Sequence, residues 1–205
     1  MSLFPIFLKL AGRLVVVVGG GNIAEQKLPA VIHTGARVRV VSPSITRQIA
    51  AWVRSREIAW LPKEFDSEDL AGAFLVIAAT SDSKLNGDVF HAADERGILC
   101  NAVDDTEHCH FYSGAVVQRG DLQIAISTNG KSPALAQRLR KELEGQFGPE
   151  YEVWLQWLGA ARESLRASAA RPDTSRQLLH ELASRPVFED FVHHAIQKQS
   201  SRETS

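Results

Sequence analysis

The chain has 205 residues, 44% of them apolar and 23% charged, which suits one α/β domain plus an appendage and excludes a minimal binding module. Its 23 Lys and Arg against 24 Asp and Glu give a formal net charge of −1, so neither a global basic field for nucleic acid nor an acidic tail is present. Two cysteines exclude a disulfide scaffold and a four-cysteine zinc site, no apolar run approaches the ~20 residues of a membrane span, and Pro5 and Lys9 interrupt any signal-peptide core, so a soluble cytoplasmic protein without membrane or nucleic-acid partners is expected.

Residues 14–18 form a continuous valine-rich run, the pattern of a strand buried on both faces. Three glycines follow at once, and residues 22–33 read as a helix. Residues 37–41 predict a second strand ended by Ser42-Pro43, 46–54 a helix, and 57–61 a short third strand. Residues 73–79 predict another buried strand, 82–96 a helix and 98–103 a fifth strand; this alternation implies a parallel sheet. Past residue 110 the pattern changes. Residues 112–118 and 122–127 flank Arg119-Gly120-Asp121, and Leu122, Ile124 and Ile126 alternate with Gln123, Ala125 and Ser127, as in a hairpin with one buried face. Ser132-Pro133 opens a helix to about residue 146, and Gly148-Pro149 ends it. Residues 151–199 read as helical, with breaks near Arg171-Pro172 and Arg185-Pro186, and the polar end from residue 197 is expected to fray. The fold class is therefore α/β, a Rossmann-type parallel sheet domain over 1–112, a hairpin plus helix over 113–146 and a helical region over 147–205. The middle part is too small to bury a core alone, and a second copy of the chain is a reasonable packing partner.

The strongest motif is Gly19-x-Gly21-x-x-Ala24 between a strand and a helix. Gly19 permits the tight turn, Gly21 lets the backbone approach a pyrophosphate, and Ala24 lets helix and strand pack closely. The helix N-terminus then offers free N–H groups to phosphates. The second strand carries no terminal carboxylate for an adenosine ribose, which leaves NAD and NADP undecided; neither Arg39 nor Arg47 is assigned to a 2′-phosphate, and Ser42 and Ser44, with the backbone around Pro43, are candidate ribose contacts. Thr80 and Ser81 end the fourth strand, either flooring a cofactor or capping the strand end. Asp104 and Asp105 end the fifth strand at the same edge, where either both cap the next turn or, the favoured reading, Asp104 is placed to take a proton as hydride leaves a substrate. His108-Cys109-His110 supplies metal-ligand types, but successive side chains on an extended segment diverge and no second cluster exists, so no metal site is assigned. The 127–133 loop gathers Thr128, Lys131 and Ser132 before a helix N-terminus, either a capped, solvated start or a carboxylate site, and Lys131, Arg138, Arg140 and Lys141 make the stretch locally basic. Trp154 and Trp157 sit at i, i+3 and read as core or interface.

Together these stretches resemble the precorrin-2 dehydrogenase/sirohydrochlorin ferrochelatase family, whose members include the N-terminal module of sirohaem synthase. The resemblance is carried by Leu3-Phe-Pro-Ile-Phe-Leu8, Val18-Gly-Gly-Gly-Asn-Ile-Ala-Glu-Gln-Lys27, Ile77-Ala-Ala-Thr80, Asn101-Ala-Val-Asp-Asp105, Ser113-Gly-Ala-Val-Val117 and the 124–136 stretch with Ser-Thr-Asn-Gly-Lys-Ser-Pro. It implies NAD-dependent oxidation of precorrin-2 to sirohydrochlorin, then ferrous iron insertion with Fe²⁺ as substrate rather than bound cofactor. It implies that Asp104 is the key carboxylate, that Asn22, Ile23, Pro43 and Ser44 contact NAD, that Thr128 stands where some members carry a phosphorylatable serine, and that the chain forms an intertwined homodimer. The tetrapyrrole substrate is then a polyanion suited to Lys131 and the Ser132-capped helix end. His110 departs from the family's asparagine or aspartate, and the sequence after Gly148 matches loosely. The resemblance also implies that uroporphyrinogen methylation falls to another protein. Two alternatives from other classes are a nucleotide-sensing regulatory module and a chelatase with a degenerate cofactor site.

Overall fold

A computed structural model describes residues 3–168 and 172–203, which fold as two units, 1–113 and 114–205. In the first unit five parallel strands pair in the order β3-β2-β1-β4-β5: β1 Leu14–Val18, β2 Arg37–Val41, β3 Ile58–Leu61, β4 Leu75–Ala78 and β5 Leu99–Ala102. The valine run is explained by its central place. Val15 and Val17 point into one apolar cluster, beneath α1 (Asn22–Ile32) and α2 (Arg47–Arg54). Val16 and Val18 point into the other, with Val89 and Ala93 of α3 (Ser83–Asp94) and Leu70 of a 3-10 turn, Ser67–Leu70. All four valines are 0–1% exposed, and each fully buried side chain of this size contributes roughly 1.5–3 kcal/mol. The strand order reverses at β1, which pairs with β2 on one side and β4 on the other, and this is the switch point where open parallel sheets bind ligands.

In the second unit β6 (Ala115–Arg119) and β7 (Leu122–Ile126) form an antiparallel hairpin, with Arg119 inside the strand and only Gly120 and Asp121 left to turn. Val117 is buried, and Leu122, Ile124 and Ile126 are half-buried on alternate positions, as the sequence pattern requires. Helix α4 (Pro133–Gln146) is N-capped by Ser132, whose Oγ accepts from Leu135 N at 3.2 Å. The Arg119 guanidinium donates to Phe147 O at 2.8 Å and Glu144 O at 3.1 Å, satisfying carbonyls at the end of α4. Then follow α5 (Glu150–Ala167), α6 (Pro172–Leu182) and α7 (Arg185–Glu203). Tyr151 and Trp154 of α5 pack on Phe188 of α7 at ring separations of 4.4 and 4.8 Å, with Trp154 half-buried, while Trp157 meets Phe191 at 5.8 Å and stays 38% exposed. Helix α7 runs through Glu203. Residues 169–171, including the break expected at Arg171, lie outside the described residues, as do Thr204 and Ser205.

Candidate functional site

At the C-terminal edge of the first unit's sheet lies a cleft of about 580 Å³, within the range of small-molecule sites. It brings together Gly19, Gly21, Asn22, Ile23, Pro43, Ser44 and Thr80, with Ala24 fully buried behind them. The three glycines have different tasks. Gly19 has φ +118°, and a Cβ there would meet Ala79 O at 2.4 Å. Gly20, which the x of the motif passes over, is equally confined: a Cβ would meet Ser44 O at 2.1 Å. At Gly21 a Cβ would meet nothing within 4 Å, and φ is an unstrained −86°. Protein packing therefore does not require glycine at 21, whereas a ligand lying against the backbone would. Gly21 also gives α1 no side-chain N-cap, so the first N–H groups of the helix are left for an anion. Residues and geometry fit a dinucleotide pyrophosphate.

The adenosine side of the cleft is neutral. Ser42 is 9% exposed and its hydroxyl donates to Ser44 O at 2.8 Å, so the Ser42 proton offered to a ribose by the sequence is spent inside the loop. Arg39 donates to Asp69 O at 3.2 Å and Lys63 pairs with the Asp69 carboxylate at 3.0 Å. On the other side Thr80 is held by Asn86 of α3, only 4% exposed. Asn86 Oδ1 accepts from Thr80 Oγ1 at 2.8 Å and from Thr80 N at 3.2 Å, and Nδ2 donates to Thr80 O at 3.2 Å. Thr80 both lines the cleft and caps the strand end, so the two sequence alternatives coincide, with its polar atoms turned inward.

Ala102 of β5 is in register with Ala78 of β4, and Ala78 with Val18 of β1. Strands stand about 4.8 Å apart, so the ends of β1 and β5 are roughly 10 Å apart along this edge. Beyond Ala102 the two aspartates separate in role. Asp105 is consumed locally: Oδ1 accepts from Glu107 N at 3.1 Å and His108 N at 3.3 Å, and Oδ2 meets His108 Nδ1 at 2.6 Å, a bond that holds the Asp105 carboxyl below the usual carboxylate range. Asp104 is exposed, takes no side-chain hydrogen bond among the described residues, and has φ +63°. Asp105 N donates to Ala102 O at 3.3 Å, so Asp104 is the third residue of a four-residue turn, where glycine or asparagine would sit more easily. A left-handed backbone costs about 1–2 kcal/mol for a residue with a Cβ. Aspartate adopts this conformation more readily than most residues with a Cβ.

The His108-Cys109-His110 segment folds back along β5, pairing Asn101 with Cys109. Its side chains diverge into separate structural bonds. His110 Nδ1 accepts from Cys100 N at 3.0 Å, which places the ring proton on Nε2, 3.0 Å from Asp94 Oδ1. Among the described residues no group of three His, Cys, Asp or Glu is arranged to hold a metal. In the second unit, Thr128 Oγ1 accepts from Ser132 N at 3.2 Å and Ser132 Oγ caps α4, so both hydroxyl oxygens shape the loop; Lys131 is exposed beside them. The local basicity read over 131–141 is smaller than it looked, because Arg138 pairs with Glu142 and Arg140 with Glu144 one turn on. Gly20 and Asn86 were not singled out by the sequence, and Cys109 was weighed only as a metal ligand: confinement of Gly20 and inward-facing bonds of the other two have no fixed spacing to read.

Residues 6–115 match the model of a putative NAD(P)-binding family, and residues 119–146 that of the sirohaem biosynthesis protein central family. A sirohaem synthase of Neisseria meningitidis serogroup C is 39% identical over 175 residues, covering 83% of this chain and 36% of the relative. One from Photorhabdus laumondii is 40% identical over 166 residues, covering 81% and 35%. The chain thus spans little more than a third of these relatives. The solved structure of SirC, a precorrin-2 dehydrogenase, is 27% identical with a TM-score of 0.77, covering 95% of this chain and all of that one.

Proposed function

Because the chain belongs to the putative NAD(P)-binding family, and its residues 119–146 match the sirohaem biosynthesis protein central family, we propose that it oxidises precorrin-2 to sirohydrochlorin with NAD⁺. One observation carries this reading: a carboxylate with no protein partner among the described residues, Asp104, stands at the same sheet edge as an anion cradle built around Gly21. When bound, NAD⁺ supplies the hydride acceptor. Asn22 and Ile23 hold the pyrophosphate through their backbone N–H groups, and Pro43 and Ser44 bound the adenosine side. Residues 42–46 on the adenosine side include no Lys or Arg to meet a 2′-phosphate, which suits NAD. Thr80, fixed by Asn86, floors the opposite end. Oxidation removes a hydride and a proton from the substrate, and Asp104 takes the proton. Lys131, with Thr128 and Ser132 shaping its loop, receives carboxylates of the tetrapyrrole.

The same carboxylate suits ferrous iron insertion, in which Asp104 accepts pyrrole N–H protons as Fe²⁺ enters; no resident metal cage is needed. The working unit is a homodimer, for which Val116, Leu135 and Val153 in the second unit, 39–55% exposed, offer apolar surface, and the setting is the cytoplasm, where Cys100 and Cys109 stay reduced. Among the described residues no helix is long and apolar enough to cross a membrane. The test is to incubate the purified protein with precorrin-2 and NAD⁺, follow absorbance, then add Fe²⁺. A dehydrogenase gives sirohydrochlorin, a bifunctional enzyme goes on to the metallated ring, a chelatase metallates only supplied sirohydrochlorin, and a nucleotide sensor changes nothing. Asp104→Ala is expected to abolish oxidation while NAD binding persists; unchanged turnover would remove Asp104 from the mechanism.

A further inference from the structure

The turn that carries Asp104 is weakly closed by its own backbone. Its one internal bond, Asp105 N to Ala102 O, is 3.3 Å long, against about 2.9–3.0 Å for a typical N–H···O bond. Asp104 itself contributes no side-chain bond among the described residues, and its left-handed φ of +63° gives it reason to relax. What spans the turn is a thiol. Cys109 Sγ lies 3.1 Å from Ala102 O and 3.0 Å from Asp105 O, the carbonyls of the turn's first and last residues. Behind it, Asn101, only 7% exposed, donates to Cys109 Sγ at 3.2 Å and to Phe111 O at 2.8 Å. Ala102 N to His108 O at 3.1 Å and His110 N to Cys100 O at 2.8 Å fasten the cysteine's segment to β5 from both sides.

We propose that Cys109 is a positioning residue for the Asp104 carboxylate, its S–H shared between the two carbonyls that bracket Asp104. The proposal rests on the reading of Asp104 as the proton acceptor. Burial raises the Cys109 thiol above its ordinary pKa, so the proton stays on sulfur at neutral pH; a thiolate there would repel both oxygens. Removing the thiol leaves Asp105 O without its donor and Ala102 O with only the long bond from Asp105 N, and frees the turn to move Asp104.

The experiment compares Cys109→Ala and Cys109→Ser in the full chain, reading kcat and KM for precorrin-2 oxidation, NAD affinity and thermal unfolding. A reacting group displaced by about 1 Å loses on the order of 100-fold in rate. Cys109→Ala is therefore expected to lower kcat roughly 10- to 100-fold, leaving NAD affinity and KM within about twofold, and Cys109→Ser, which can donate to the same carbonyls, to restore kcat to within about threefold. Native kcat in the alanine variant overturns the proposal. So does a serine variant as slow as alanine, or a loss of NAD affinity and unfolding temperature in step with kcat, which marks a merely structural residue. Should alanine prevent folding, Cys109→Val against Cys109→Ser makes the same comparison, since valine fills space without donating. Asp104→Ala with native turnover would sink the parent reading; an inactive Asp104→Ala beside a fully active Cys109→Ala sinks this one alone.

Discussion

Gly21→Ala separates ligand binding from folding, because its two neighbours give the control. At Gly19 a methyl group meets Ala79 O at 2.4 Å and must hold φ +118°. The backbone conformation costs about 1–2 kcal/mol and the overpacking about 1–3 kcal/mol. At roughly 4 °C per kcal/mol for a domain of this size, Gly19→Ala should lower the first unit's unfolding temperature by on the order of 10–20 °C. Gly20→Ala, with a backbone oxygen 2.1 Å from the new carbon, should behave as badly. At Gly21 the methyl enters open cleft and φ −86°, ψ −168° suits alanine. The entropy gained by stiffening the unfolded chain, about 0.4–1 kcal/mol, is offset by alanine's poorer N-capping, about 0.5–1 kcal/mol. Stability should thus stay within about 0.5 kcal/mol. Its methyl nevertheless stands where phosphate oxygens would approach. Overpacking of about 1–3 kcal/mol converts to roughly a 5- to 150-fold loss of NAD affinity. Calorimetric titration with NAD⁺ and thermal unfolding by circular dichroism measure both quantities on one preparation. Native NAD affinity in Gly21→Ala would refute the assignment of the cradle; a fall in unfolding temperature like that of Gly19→Ala would refute the claim that packing leaves residue 21 free.

Asn86→Ala strips Thr80 of three hydrogen bonds; we expect a destabilisation on the order of 1–3 kcal/mol and NAD affinity lowered more than kcat, read by denaturant titration and steady-state kinetics. Arg119→Ala uncaps the end of α4 and should cost about 1–3 kcal/mol, with hydrogen exchange faster at residues 143–147 and NAD affinity unchanged. Burial, with Cys109 nearby, pushes the Cys100 thiol up to about 12. The folded pKa lies above the unfolded one, so the stabilisation is complete below about pH 8.5 and is lost as pH rises toward 12. Cys100→Val should flatten that alkaline fall in urea-unfolding free energy, and iodoacetamide at pH 8 should reach Cys100 only in the unfolded chain.

The five parallel strands were legible because each is short, apolar and followed by turn chemistry, and burial of Val15 to Val18 on alternate faces follows directly from a central strand. The Gly19–Ala24 region was legible for the same reason: the conformational demands of a strand–turn–helix junction fall on residue types that sequence displays. What remained hidden was which polar atoms are already spent. Asp104 and Asp105 are identical letters, and only the fold shows Asp105 capping residues 107 and 108 while Asp104 is left exposed. Likewise four cations between 131 and 141 suggested a basic patch until Glu142 and Glu144 were seen to neutralise two of them one helical turn away.

The hidden residues share a physical logic. Ser42, Asn86 and Asn101 are buried polar side chains, and each holds a different loop at the C-terminal sheet edge: Ser42 the loop after β2, Asn86 the loop after β4, Asn101 the segment after β5. A buried amide or hydroxyl left unpaired costs about 1–3 kcal/mol, so each loop is locked by a group that strongly favours its native partner. Apart from Thr80 Oγ1 and Cys109 Sγ, the locks bond to backbone atoms, which every residue type supplies, and so leave little pattern in the partner's sequence. They also turn polar atoms away from the cleft: Thr80 faces Asn86, and the Ser42 hydroxyl faces Ser44 O. The edge therefore keeps its shape through inward bonds, while the α1 N–H donors near Gly21 and the carboxylate of Asp104 are left outward. That division of labour, inward atoms for shape and outward atoms for chemistry, is why substitutions at Asn86 and Cys109 should act on the reaction through residues that they themselves only hold in place.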